Sequence, residues 1–110
     1  MSTNYYVRTP QTAPGDEGIH LGKWAGGEFH FRAYPGPAAR PAEITWDVVD
    51  FDSWSRLLDL GAIETEAGRP VTAAEMVAEV QREPRSWYGA IGRDQFTDSR
   101  GNRFSPYEFC

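Results

Sequence analysis

The sequence predicts an α+β fold: a small antiparallel sheet with two short helices packed on it. Three observations carry this expectation. Two strand-like runs, 19–24 and 28–34, flank Ala25-Gly26-Gly27 and read as a hairpin. Two later segments, about 51–60 and 73–82, each combine an N-cap residue with a helical stripe of apolar side chains. A chain of 110 residues fits one domain, residues 1–110, so the helices must share their core with the hairpin.

Taken in order, Tyr5-Tyr6-Val7-Arg8 reads as a short strand, and 9–18 as a loop rich in Pro, Gly and Thr. In the hairpin, side-chain alternation favours pairing Trp24 with Glu28. Leu21 then faces Phe31 and Ile19 faces Ala33 on a dry side. The opposite, polar side carries His20 across from Arg32, Gly22 across from His30, and Trp24 at the tip. Residues 35–41 are too rich in Pro, Gly and Ala for a regular element. Ile44-Thr45-Trp46 reads as a short strand.

Asp50 is placed to cap the first helix, whose stripe is Phe51, Trp54, Leu57 and Leu58, with Gly61 as its left-handed C-cap. Ile63 to Thr65, a turn at 66–69 and Val71 form a small extended unit. Thr72 and Glu75 form a capping box for the second helix, which turns Met76, Val77 and Val80 inward and stops before Pro84. In the tail, Gln95-Phe96-Thr97 and Arg103-Phe104-Ser105 read as strands about the turn 98–102, among Trp87, Tyr88, Ile91, Tyr107 and Phe109.

Charge and composition exclude several function classes. The net charge is −5, which opposes non-specific nucleic-acid binding and docking on anionic lipid, and permits a basic protein partner. Lys23 is the only lysine beside ten arginines, the codon signature of a GC-rich genome. The single cysteine, Cys110, allows neither an intrachain disulfide nor a Cys-x-x-Cys zinc site. No apolar run approaches the length of a membrane span, and residues 1–6 do not read as a signal peptide, so the expected location is the cytoplasm.

Ile19-His20-Leu21-Gly22-Lys23, the Gly-Gly pair and Phe29-His30-Phe31-Arg32 together resemble a family of small uncharacterised bacteriophage proteins. Trp54, the run Ile63-Glu64-Thr65-Glu66-Ala67-Gly68, and the ending Asp98-Ser99-Arg100-Gly101-Asn102-Arg103-Phe104-Ser105 with Glu108-Phe109 extend the likeness along most of the chain. The resemblance implies a phage gene expressed in a bacterial host, and no activity. Such relatives often carry a cysteine cluster before the hairpin. Here 9–18 holds none, so the metal site they imply does not carry over.

The residues offer three constellations. His20, His30 and Glu28, on one polar sheet face, are the donors available for a Zn²⁺ site, set against a reading as surface side chains; no cofactor is expected. Trp24 and Trp46, with Asp47, Asp50 and Asp52, are candidates for contact with a protein partner, set against core packing and helix capping. No phosphate loop, Gly-x-Ser-x-Gly or His-Glu-x-x-His motif occurs, so no enzyme is expected. The expected function is that of a phage accessory protein that acts by binding, or by binding and inhibiting, a host protein. The alternatives are a metal- or small-ligand-binding module and a homo-oligomeric assembly component.

Overall fold

The computed structural model describes residues 3–25, 28–38, 40–81 and 96–106, with the side chains of Ala25 and Glu28 outside that description. Its strands are β1 (Thr3–Arg8), β2 (Ile19–Ala25), β3 (Glu28–Arg32), β4 (Ala62–Thr65), β5 (Pro70–Val71), β6 (Phe96–Thr97) and β7 (Arg103–Ser105). The helices are α1 (Phe51–Ser55), continued by a 3-10 turn (Arg56–Asp59), and α2 (Ala73–Val80). The expected Pro84 stop, the tail residues Trp87, Tyr88, Ile91, Tyr107 and Phe109, and Cys110 lie outside the described residues.

All seven strands join one sheet in the order β5-β4-β1-β2-β3-β7-β6. The α+β class holds. The sheet, however, is larger than the small one expected, and it is mixed rather than purely antiparallel. The difference arises at β7, which lies parallel to β3 with Phe31 opposite Phe104, while pairing antiparallel with β6. The tail strands were readable from the sequence; their docking on the far edge of the hairpin was not.

The hairpin register also departs from expectation. Ala25 pairs with Glu28, Trp24 with Phe29 and Gly22 with Phe31, one residue away from the alternation-based pairing. The reason is a β-bulge. On β1, Tyr5 faces Gly22 and Tyr6 faces His20, so Leu21 is skipped. A bulge places two successive residues on one side of the sheet and resets the alternation. Ile19 and Leu21 therefore face the core below it, and Trp24 faces the core above it. Gly22 makes this possible: its φ is +148°, and a Cβ there would lie 2.3 Å from the His30 carbonyl oxygen.

Both helices contribute to the core. Phe51, Trp54, Leu57 and Leu58 are buried, as the stripe predicts. Trp54 meets Phe29 and Phe31 edge-on, with ring centroids 5.9 and 4.8 Å away, and Phe31 stacks on Phe104 at 4.9 Å. Such ring pairs add to the burial of the rings themselves. From α2, Met76 and Val80 are buried and Val77 packs partly against the same cluster.

Both caps form. Asp50 accepts from the Ser53 amide at 2.8 Å, and Ser53 Oγ accepts from the Asp50 amide at 3.1 Å. Thr72 and Glu75 reciprocate at 3.0 and 2.9 Å. The first helix tightens to 3-10 geometry after Ser55, and α2 ends at Val80, two residues short of the expected end.

Gly61 is not a left-handed cap; its role is close approach, since a Cβ there would lie 1.9 Å from the Arg8 carbonyl oxygen. Residues 44–46 form no strand. The segment instead reaches the sheet through a single bridge between Tyr34 and Val48. No helix among the described residues is long and apolar enough to cross a membrane.

Candidate functional site

With the helices on one side, the sheet turns its other side outward at the β1–β2–β3 end. Tyr6 and His20, paired across β1 and β2, meet there at a tilt of 33° with ring centroids 5.2 Å apart. Arg32 and Tyr34 lie beside them, where β3 leaves the sheet. Loop residues among 11–18 and 40–43 flank these side chains and line with them an open cleft of about 430 Å³. That is within the size range of small-ligand pockets.

Hydrogen bonds fix both loops. Arg8 donates to the main-chain carbonyls of Asp16 and Ala13. Thr9 Oγ1 donates to Glu43 at 2.9 Å and ties one loop to the other. Arg40 pairs with Asp47 at 2.7 Å. The Tyr34 hydroxyl donates to the His20 carbonyl at 2.8 Å, which holds the ring against the sheet. The cleft is thus built before any ligand arrives.

Within it, His20 is buried and set by neighbours. Its Nε2 lies 2.9 Å from Asn4 Oδ1, and Asn4 itself donates its main-chain amide to Glu66 at 2.8 Å. An amide oxygen only accepts, so His20 donates through Nε2 in this contact. Arg32 is half-buried, with its guanidinium 4.8 Å from the Tyr34 ring centre. Its Nε is buried and has no hydrogen-bond partner among the described residues.

The three expected metal donors do not assemble. His30 pairs with Lys23 on one side and Arg103 on the other. Directly opposed residues share a face, so its nearest cross-strand neighbours are cationic and oppose a divalent ion. The side chain of Glu28 lies outside the described residues. Among those described, no three His, Cys, Asp or Glu side chains come close enough to hold a metal.

The partner-contact candidates divide. Trp24 is not on the polar face: the bulge turns it inward, where its ring packs edge-on against Phe29 at 5.9 Å. Trp46, Asp47, Asp50 and Asp52 stand together on the shoulder that leads into α1. Trp46 donates its indole N–H to the Ser53 carbonyl at 2.8 Å, and the Arg56 guanidinium lies over its ring at 4.2 Å. Asp52 pairs with Arg100 at 3.4 Å. The Ser53 hydroxyl and amide hold the Asp50 carboxyl below its ordinary pKa, helped by Arg100. Amid these charges Val49 is the exposed large apolar side chain among the described residues.

Sequence reasoning named His20 and Arg32 as cross-strand neighbours but missed the cleft. Its walls are two loops that read only as connections. The Thr9–Glu43 bond that joins them links distant positions without a motif. No protein family, curated protein or solved structure matches the chain.

Proposed function

We propose that this chain is a bacteriophage accessory protein that acts in the host cytoplasm by binding a protein partner, without catalysis of its own. The observation that carries this reading is the shoulder at 46–52. Its carboxylates meet a cap and two ion pairs, and their positions flank Val49, which is exposed. An apolar contact ringed by pre-positioned charge matches the core-and-rim anatomy of protein interfaces. Asp50, fixed by its capping box, loses little side-chain entropy on docking. The net charge of −5 favours a basic partner.

The test is affinity capture from a bacterial lysate, followed by titration of the captured protein. Val49→Arg and Asp52→Arg, each with an unchanged circular dichroism spectrum, are expected to weaken binding about tenfold, the effect of losing one good interface contact. Recovery of no stoichiometric partner, or equal binding by both variants, rejects the reading.

A further inference from the structure

We infer that the cleft beside His20 and Arg32 binds a small zwitterion, with a carboxylate on Arg32 and a cationic nitrogen toward Asp16 and Glu17. The inference is independent of the shoulder and of any protein partner. It begins with the three arginines at this end of the sheet. Arg8 is satisfied by two carbonyls and lies 3.8 Å from Glu64. Arg40 is satisfied by Asp47. Arg32 makes no ion pair among the described residues. It rests on the Tyr34 ring with its Nε withdrawn from solvent and without an acceptor. A buried donor on a charged group is costly to leave unmatched, and a guanidinium on an aromatic platform is well placed for a planar carboxylate.

The rest of the cleft narrows the choice of anion. Asp16 and Glu17 are exposed at its lip, and Glu43, bonded to Thr9, lies in its wall. These carboxylates repel a multiply charged phosphate. They attract a cationic group carried at the other end of a singly charged carboxylate ligand. The Tyr6 and His20 rings, tilted against each other, line the same cleft and suit a short carbon skeleton. A volume of about 430 Å³ matches a molecule of amino-acid to dipeptide size.

The experiment is an NMR titration of the isotopically labelled full chain with lysine, γ-aminobutyrate, butyrate, butylamine and inorganic phosphate. The readouts are the Arg32 Nε–H resonance and the main-chain amides of His20 and Arg32. Saturable shifts are expected with the two zwitterions, and weaker ones with butyrate or butylamine. Arg32→Gln should lower zwitterion affinity about tenfold or more, as for the loss of a charge-assisted bond.

Arg32→Lys keeps the charge and guards against a folding defect; it should retain part of the affinity. The double variant Asp16→Asn with Glu17→Gln should weaken zwitterions about threefold, the effect of exposed charge pairs, and leave butyrate unweakened. Phosphate or butyrate binding as tightly as the zwitterions would overturn the proposal. So would unchanged affinity in folded Arg32→Gln, or no saturable shift with any of the five compounds.

Discussion

The indole N–H of Trp54 donates to the main-chain carbonyl of Leu21 at 2.9 Å, with both side chains fully buried. Leu21 is the residue that the bulge removes from register with β1, and the pairing with β3 begins only at Gly22. The indole therefore ties α1 to β2 at the bulge. One side chain both fills the core and bonds the helix to the bulged strand.

Trp54→Phe should consequently cost more than a change of ring size. The lost indole hydrogen bond and the lost ring area together are worth about 1–3 kcal/mol. Urea unfolding followed by circular dichroism measures this, with an unchanged slope expected. A loss below about 0.5 kcal/mol would show that the indole bond adds nothing to stability.

Gly22 and Gly61 are required by space. Alanine at Gly22 would combine a disfavoured φ with overlap on the His30 carbonyl and the Phe29 ring, and alanine at Gly61 would meet the Arg8 carbonyl. Each substitution is expected to destabilise the fold by about 3 kcal/mol. Gly36→Ala, into open space, should stay within about 0.5 kcal/mol. Thermal melting of the three variants side by side decides the point, and equal melting temperatures would contradict the bulge geometry.

The two helix caps give stability a defined acid limb. Hydrogen bonds from Ser53 lower the Asp50 pKa from 3.8, and bonds from Thr72 lower that of Glu75 from 4.5. A lowered folded-state pKa adds stability that is fully present above the unfolded value and is lost as pH falls through the folded one. The caps should therefore contribute fully at neutral pH and weaken progressively below about pH 4.5. Asp50→Asn keeps a competent cap without the titration. Its melting temperature should match wild type near pH 7 and fall less steeply in acid. A steeper fall than wild type would remove Asp50 from the acid limb.

Much of the fold was legible because its signals are local. Asp50, Thr72 and Glu75 announce the helices, Phe51 to Leu58 announce the buried stripe, and Arg103-Phe104-Ser105 announces a strand. The register was not legible, because alternation assumes an unbroken period of two and Gly22 breaks it. Gly22 was visible as a glycine inside a strand, which is the one sequence cue to a bulge. Trp24 was misplaced for the same reason, since its face depends on what happens two residues earlier.

The shoulder was readable as a run of aspartates in sequence. The cleft was not, because Arg32, Tyr34 and the loop pair meet through contacts between distant positions. The bridge between Tyr34 and Val48, which draws the second loop over the sheet, has no local signature either.

The parallel pairing of β3 with β7 bears on how the molecule is made. During synthesis the hairpin and both helices leave the ribosome first, with one edge of β3 open and Phe31 lacking its stacking partner. Antiparallel neighbours can zip from a turn, but this edge must wait for a segment from the other end of the chain. The nascent protein therefore carries an unpaired central strand until Phe104 arrives, and that interval is when it is most prone to join a second copy.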